Sequence, residues 1–154
     1  MEQAIVAERI FKTVFTLSNA LQASGDKLSN ELTLKQWFLL LILCKKKKQN
    51  PTVNDVSNFI GVSRQSAKKM ICILETRNYL LVKQSPVDSR ALCISPTQKT
   101  VDFFKKNKSI GHELLHQIFD CINDDELEIT LRVLQKMRDN LQKNAFKGLS
   151  DEIK

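Results

Sequence analysis

The sequence predicts a mainly α-helical protein with one short β-hairpin in its middle. Apolar residues recur at helical spacing in a long stretch before Gly25 and again after Asn123, so amphipathic helices are expected near both ends of the chain. A further run that begins at Leu34 is apolar on most sides through Leu43, which predicts a buried central helix. Two β-rich runs separated by the turn-forming stretch SPVDS predict the hairpin.

The composition is that of a folded domain in a reducing compartment. The chain has 154 residues, of which 42% are apolar, enough for one domain with helical extensions. The formal net charge of +7 favours a polyanionic partner. The four cysteines lie far apart in apolar runs without a C-x-x-C pair, so we expect reduced, buried thiols and no disulfide framework.

The sequence contains no segment that is expected to enter a membrane. Its first residues include acidic side chains and no continuous apolar region, unlike a signal peptide. The longest apolar run, Trp37 to Cys44, is far shorter than the ~20 residues that span a bilayer. These features predict a cytoplasmic protein.

Capping residues predict where the central helices begin and end. Thr33 is a good N-cap for the buried helix. Thr52 and Asp55 have capping-box spacing at the start of a short helix, which Gly61 would end in a tight turn. Ser63 would cap the helix that follows. Two short helices joined by a turn that contains Gly predict a helix-turn-helix.

The β-rich runs follow this motif directly. Residues 79–84 and 90–95 predict a two-stranded hairpin, which in that position is a wing. From Thr97 one long helix is expected to continue to the region of Phe119, and Asn123 is expected to cap the last helix.

Three blocks of the sequence resemble those of the MarR-type winged-helix transcription regulators. The blocks are LTLKQWFLLLIL, TVNDVSNFIGVSRQSAKKMICILETRNYL and SPVDSRALCISPTQK, which occur in the order and at the spacing of that family. The resemblance implies a winged helix-turn-helix DNA-binding domain over residues 32–99, flanked by dimerisation helices over residues 1–31 and 100–154. It also implies a homodimeric transcriptional regulator, with repression as the expected action, that binds a pseudo-palindromic operator in double-stranded DNA. Neither enzyme activity nor a cofactor is expected, whereas control by a small-molecule effector is.

The second helix of the helix-turn-helix carries the residues expected to contact DNA. On a helix that begins at Arg64, one face is apolar, and another face is polar and basic. Gln65 has the geometry to pair with adenine, and Lys68 and Lys69 have the charge to bind guanine or phosphate. Residues at the start of the helix lie where phosphates dock. The expected contacts are Ser63, Arg64, Gln65, Ser66, Lys68 and Lys69. The alternative is the solvated face of a surface helix.

The resemblance also assigns roles in the wing. The stretch VDSR is similar to the D-x-R tip of the family, in which Asp88 would hold the wing and Arg90 would reach toward the minor groove. An ordinary hairpin-tip charge is the alternative for Arg90. The sequence departs from the family pattern at Ser89, where a second Arg is common, and at Asn78 and Thr100, where glycine is frequent.

Effector binding in this family typically occurs between the dimer helices and the winged domain. Phe15, Trp37 and Phe38 are therefore candidates to line a ligand pocket, with an ordinary place in the core as the alternative. Cys72 is a candidate for an oxidation switch, although the sequence shows no neighbouring cysteine to resolve it.

The stretch HELLH matches the H-E-x-x-H pattern of zinc proteases. It places His112 and His116, the only two histidines, four residues apart on one helical face. The extended metal-binding pattern needs Gly and His where Phe119 and Ile122 stand, so a zinc protease is not expected, and no metal site is assigned. Two alternatives to a ligand-controlled regulator remain: a metal- or redox-responsive regulator of the same fold, and a nucleoid-associated protein that binds DNA without sequence preference.

Overall fold

The computed structural model describes residues 2–45, 51–85 and 92–144, which form seven helices and one two-stranded sheet. In chain order the elements are α1 (Glu2–Gly25), α2 (Leu34–Lys45), α3 (Val53–Ile60), α4 (Arg64–Thr76), β1 (Leu80–Gln84), β2 (Leu92–Pro96), α5 (Gln98–Lys106), α6 (Lys108–Ile118) and α7 (Asp124–Asn144). The predicted mainly α-helical class with a β-wing is confirmed. Among these helices none has the length and hydropathy needed to cross a membrane.

The chain divides into two compact units, residues 1–110 and 111–154. The first unit contains α1 to α5, the hairpin and the start of α6. The second contains the rest of α6 and α7. The predicted division into a DNA-binding domain over residues 32–99 and two dimerisation segments assigns functions to parts of the chain. The two compact units do not test it, and it stays a prediction.

The core of the first unit is assembled around α2. This helix buries Leu39, Leu40 and Leu43, as its apolar sequence predicts. Among the described residues, the buried apolar cluster includes members of α2 to α5, both strands and the adjoining loops: Leu32, Leu39, Leu40, Leu43, Val53, Val56, Ala67, Ile71, Leu74, Tyr79, Leu80, Ile94 and Phe103. Burying each large side chain in such a core stabilises the fold by about 1.5–3 kcal/mol. These residues therefore pack α3, α4 and the hairpin against α2 in one core.

The helix starts predicted from capping residues are confirmed. At the start of α2, the Thr33 N–H donates to Gln36 Oε1 at 3.1 Å, and the Gln36 N–H donates to Thr33 Oγ1 at 3.3 Å. Thr52 and Asp55 form the same reciprocal capping box at α3. Ser63 Oγ accepts a hydrogen bond from the first turn of α4.

The hairpin is antiparallel, with Val82 opposite Ile94. Strand β2 also bonds to the segment before α3, since the Ile94 N–H donates to the Pro51 carbonyl at 3.0 Å. Ile94 is fully buried, so this bond lies at the base of the wing. The wing strands are thereby attached to the helix-turn-helix at a second point, apart from the covalent connection after α4.

The single helix predicted after the hairpin is wrong in one respect, because the structure breaks it into α5 and α6 at Asn107. The Asn107 side-chain amide donates to the Phe103 carbonyl at 2.9 Å, and the Asn107 backbone N–H donates to the same oxygen at 3.0 Å. Asparagine side chains compete with the backbone for such carbonyls, which favours a local interruption of the helix.

The prediction of four buried cysteines is also wrong. Cys93 is buried, but Cys44, Cys72 and Cys121 are exposed, and all four are free thiols. An apolar neighbour in sequence does not bury a helical residue, because consecutive residues are turned by about 100° around the axis. Cys72 therefore lies outside although Ile71 is buried.

In the second unit, α7 begins at the predicted capping pair. The Asn123 side chain accepts from the Glu126 N–H, and the Glu126 side chain accepts from the Asn123 N–H, both at 3.0 Å. Five of its large apolar residues are exposed in the single chain: Ile129, Leu131, Val133, Leu134 and Leu141.

Helix α1 also carries large apolar side chains that the chain itself leaves uncovered. The exposed set is Ile5, Val6, Ile10, Phe11, Val14, Phe15 and Leu17. Phe11 is 70% exposed, which is a costly position for an aromatic ring in water. A helix with this much exposed apolar surface needs a partner surface.

The end of α1 packs so closely on α2 that a side chain at Gly25 does not fit. A Cβ atom at this position would lie 2.6–2.8 Å from Leu34 Cδ2, Cδ1 and Cβ. We expect Gly25→Ala to lower the free energy of unfolding by ~1–3 kcal/mol through overpacking, as measured by chemical denaturation. Leu34→Ala in the Gly25→Ala background should recover part of the loss, because it removes the two Cδ atoms. Unchanged stability of Gly25→Ala would contradict the close packing.

Candidate nucleic-acid interface

The helix-turn-helix is formed by α3, a turn at residues 61–63, and α4. Gly61 adopts φ 67°, the left-handed region that favours glycine, and its N–H donates to the Ser57 carbonyl. The Val62 N–H donates to the same carbonyl at 3.1 Å. These two bonds close the turn and fix the direction in which α4 leaves α3.

The two faces of α4 are divided as the sequence predicts. Ala67 and Leu74 are fully buried and Ile71 is 5% exposed, so this face packs in the core. The other face carries the side chains predicted to contact DNA, and these are exposed: Gln65, Lys68 and Lys69. Cys72 is exposed as well. The fold therefore presents an amide and two ammonium groups from a helix that cannot rotate without unpacking its apolar side.

The start of α4 has the chemistry of an anion site. Ser63 Oγ accepts from the Ser66 N–H at 3.2 Å and lies 3.0 Å from the Ser66 hydroxyl. Both serines and Arg64 are exposed at this end, where the helix dipole is positive. A phosphate at this position would meet two hydroxyls, a guanidinium and the dipole.

Two residues of the predicted interface lie outside the described residues. They are Asp88 and Arg90 of the wing tip. Lys45 closes α2 and is exposed. The roles of Asp88 and Arg90 stay predictions that rest on the resemblance.

The other end of α4 is closed by a hydrogen-bonded turn. The Tyr79 N–H donates to the Leu74 carbonyl and the Asn78 N–H donates to the Glu75 carbonyl, both at 2.8 Å. These are the two bonds of a Schellman motif, with Asn78 at φ 61° in the left-handed position. Asparagine tolerates this region better than most residues, which explains how Asn78 replaces a glycine here.

The first turn of α5 binds the carbonyls that follow α4. Lys99 Nζ donates to the Arg77 carbonyl at 2.9 Å, and Thr97 Oγ1 donates to the Asn78 carbonyl at 2.7 Å. The Tyr79 carbonyl accepts from the Thr97 N–H at 3.1 Å and also from the Thr100 hydroxyl. In the sequence, Thr100 is only a departure from the family pattern, but in the structure it is fully buried and satisfies this carbonyl.

The side chain of Tyr79 extends this contact to a second segment. Its hydroxyl donates to Glu31 Oε2 at 2.7 Å, and its ring packs edge-on against Phe103 at a centroid distance of 5.8 Å. Lys99 Nζ lies 4.4 Å from the ring centroid. Burial, followed by the hydrogen bond and the charge of Glu31, raises the pKa of Tyr79 to about 12. The sequence showed no sign of this pairing, because Glu31 and Tyr79 lie 48 residues apart.

The three aromatic residues predicted to line a ligand pocket lie in different surroundings. Phe15 and Phe38 are 63% and 49% exposed. Trp37 packs edge-on against Phe103 and Phe104, at centroid distances of 5.2 and 6.2 Å. Trp37 therefore has a place against the core, and a ligand pocket at these residues stays a prediction.

The histidine pair of the HELLH stretch lies on α6, where His112 and His116 are both exposed. Glu113, the residue between them in the pattern, accepts a hydrogen bond from Gln117 Nε2 at 2.7 Å. Across residues 2–45, 51–85 and 92–144, no three side chains of His, Cys, Asp or Glu come together as a metal site. The pair thus lacks a third protein ligand within the described part of the chain.

Solved structures share this fold over most of the chain. A MarR/EmrR family transcriptional regulator from Acinetobacter sp. ADP1 superposes with a TM-score of 0.79 at 16% identity, covering 90% of this chain and 98% of the other. The MarR protein from Peptoclostridium difficile gives 0.78 at 26% identity, with 90% of each chain covered. The S. aureus MepR–DNA complex gives 0.75 at 19% identity, covering 85% of this chain and 97% of MepR.

Sequence similarity leads to the same group. The transcriptional repressor MprA of Escherichia coli K12 is 21% identical over 134 residues, which cover 84% of this chain and 76% of MprA. No family model matches the sequence. The resemblance to MarR-type regulators is confirmed by these neighbours, and the winged-helix fold is common to them.

The state of Tyr79 is open to a direct optical test, because the chain contains one tyrosine. We expect its tyrosinate absorbance to appear with a pKa of about 12 in the folded protein, against 10.0 for the free side chain, since the site is buried and bonded to Glu31. The folded pKa is raised, so the stability that Tyr79 contributes is present below pH ~10 and is lost as the pH rises toward ~12. Glu31→Gln should lower the pKa of Tyr79. A tyrosine that titrates at the free value in the folded protein would contradict the bond.

Proposed function

The chain has the winged-helix fold of the MarR-type regulators, and we propose that it is a homodimeric, sequence-specific DNA-binding transcriptional regulator, with repression as its action. One observation carries the proposal most directly: α4 buries one face, is fixed at both ends, and presents Gln65, Lys68 and Lys69 on its exposed face. A rigid helix with an amide and cations on its outer face suits the major groove of DNA. The net charge of +7 favours the same partner.

Recognition would divide between bases and phosphates. Gln65 offers a donor and an acceptor to an adenine edge, and the two lysines reach guanine or the backbone. Ser63, Arg64 and Ser66 would bind a phosphate at the helix start. On the resemblance, Asp88 would hold the wing while Arg90 enters the minor groove. The relative MprA is named a transcriptional repressor, and MepR has been solved with DNA, which supports this assignment.

A second copy of the chain is the partner that the exposed apolar surface calls for. In the first unit α1 leaves seven large apolar side chains exposed, and in the second unit α7 leaves five exposed. Burying such faces between two copies would contribute favourably at ~25 cal/mol per Å² of apolar area. A two-fold dimer would place its two α4 helices in successive major grooves, about 34–36 Å apart, which requires a pseudo-palindromic operator.

Control by an effector would follow from linkage between ligand and DNA binding. A small molecule that binds more tightly to a dimer with misplaced α4 helices would lower the affinity for DNA. Phe15, Trp37 and Phe38 are the proposed contacts for it. The proposal includes no catalytic step and no cofactor, and it places the protein with the chromosome in the cytoplasm.

DNA binding is tested by fluorescence anisotropy with a duplex from the region upstream of the protein's own gene, across a salt series. We expect Gln65→Ala to cost ~1–3 kcal/mol on the operator and to relax the sequence preference. Lys69→Ala should weaken operator and random DNA alike and reduce the salt slope by about 1. Arg90→Ala should also weaken binding. Lys27→Ala, which removes an equal charge from an exposed site after α1, is the matched control.

The same titrations separate the regulator from its alternatives. A nucleoid-associated protein would bind random DNA as tightly as the operator and would be insensitive to Gln65→Ala. A protein-interaction module would form the dimer but show no salt-dependent DNA binding. A shift of operator affinity by Zn²⁺ that needs His112 and His116, or by peroxide that needs Cys72, would instead identify a metal- or redox-responsive regulator.

The dimer is tested by sedimentation equilibrium of wild type, Phe11→Glu and Lys12→Glu. Phe11 is 70% exposed in the single chain, and its loss from an interface should cost about 2 kcal/mol or more of dimerisation free energy. Lys12→Glu introduces a carboxylate at the next exposed position of α1 and should have a much smaller effect. A monomeric wild type, or a Phe11→Glu variant that dimerises normally, would refute this interface.

A further inference from the structure

The hydroxyl of Tyr79 joins the end of α4 to a loop that lies far earlier in the chain. Tyr79 is 1% exposed and follows the last residue of α4 by three positions. Its acceptor, Glu31, belongs to the loop at residues 26–33 between α1 and α2. Hydrogen bonds to charged acceptors are short and strong, so this contact restrains both segments.

The loop is itself well anchored. Leu32, the neighbour of Glu31, is 3% exposed in the core. Ser29 Oγ accepts from the Glu31 and Leu32 N–H groups at 3.1 and 3.3 Å, and Asp26 Oδ1 accepts from the Leu34 N–H at 2.7 Å. The carboxylate of Glu31 is therefore held in a defined place relative to the ends of α1 and α2.

The contacts of Tyr79 restrain the C-terminal end of α4, which neither the Ser63 cap nor the buried face holds at a fixed angle. The apolar face of α4 fixes its distance from the core, and Ser63 fixes its first turn. The angle of the helix depends on the other end, where Tyr79 is bonded through its carbonyl to α5 and through its hydroxyl to Glu31. The exposed pair of Lys106 and Glu31, 4.0 Å apart, adds little because water screens it.

We propose that Glu31 and Tyr79 are a positioning pair that holds α4 at the angle needed to distinguish operator from random DNA, and that links this angle to the loop between α1 and α2. The inference rests on the proposed function and deepens it. Base contacts require side chains to be placed within about 0.5 Å and 10–20°. Phosphate contacts are not sequence-specific, so a small tilt of α4 weakens discrimination more than general affinity.

The test compares wild type, Tyr79→Phe, Glu31→Gln and the double variant in anisotropy titrations with operator and random duplexes. Tyr79→Phe keeps the ring against Phe103 and removes only the hydroxyl. We expect Tyr79→Phe to lower the operator-to-random affinity ratio about tenfold, with the affinity for random DNA and the salt slope retained. Glu31→Gln should lower the ratio by less, because a neutral acceptor replaces a charged one. The double variant should lose no more than Tyr79→Phe alone, because Tyr79→Phe already removes the bond that Glu31→Gln only weakens by replacing a charged acceptor with a neutral amide oxygen.

The charge change in Glu31→Gln acts on DNA affinity in the direction opposite to the expected loss, so the two effects can be separated. Glu31→Gln raises the net charge by one unit, so electrostatics alone would strengthen binding to both duplexes. Glu8→Gln makes the same charge change on the exposed surface of α1 and should keep the operator-to-random ratio. A loss seen with Glu31→Gln and absent from Glu8→Gln therefore reports position and not charge.

Each outcome distinguishes the inference from the proposed function. If wild type shows no preference for the operator, the proposed function fails, and the positioning role fails with it. If wild type prefers the operator and both variants keep that preference, the positioning role alone is overturned. Equal losses on both duplexes would mean general damage to the fold and would also overturn it. Should Tyr79→Phe fail to fold, Glu31→Ala decides, since that side chain is 49% exposed and can be removed without leaving a cavity.

Discussion

The corner at Tyr79 is the constraint on which the arrangement of the first unit depends. The residue is buried where α4 ends and β1 begins. Its N–H bonds to α4, its carbonyl and ring contact α5, and its hydroxyl bonds to the loop before α2. Three successive carbonyls at this corner are satisfied by the start of α5. Among these bonds, the one from Thr100 to the Tyr79 carbonyl is buried, and leaving that carbonyl unsatisfied would cost about 1–3 kcal/mol, so α5 cannot move away without loss. The end of α4, the start of β1 and α5 are consequently held together by hydrogen bonds and by a shared core contact.

The exposed side chains of α4 suit a DNA groove only if the helix that carries them is held in place. Gln65, Lys68 and Lys69 would be ordinary surface residues on a mobile helix, and nothing in their own chemistry separates the two cases. Here the buried face, the Ser63 cap and the Tyr79 corner hold them in place. Preorganised side chains lose less entropy on binding, and this favours specific contact with a groove. The exposed apolar residues of α1 and α7 are the surfaces on which the proposed dimer, with two such faces on one DNA, would rest.

The structure explains why Asn78 and Thr100 can stand where the family often has glycine. Asn78 adopts the positive φ that a glycine would otherwise supply, and Thr100 uses its hydroxyl where a glycine has none. That hydroxyl binds the carbonyl of Tyr79, whose side chain then reaches Glu31. Asn78 and Thr100 therefore both take part in the hydrogen bonds that join the end of α4 to the start of α5.

The sequence by itself determined the order of the elements, the caps at Thr33, Thr52 and Ser63, and the two faces of α4, because these depend on residues within a few positions of each other. Local spacing also led to the winged helix and to the residues expected to contact DNA. Only the tertiary structure decided that Asn107 breaks a helix, that Cys72 is exposed, and that Glu31 binds Tyr79. Those outcomes depend on competition for a carbonyl, on the direction of one side chain, and on a contact across 48 residues. Spacing in the sequence carries no record of the contact between Glu31 and Tyr79, since it arises only when distant segments share one core. Helical spacing also does not tell whether the Asn107 side chain will compete with the backbone for the Phe103 carbonyl.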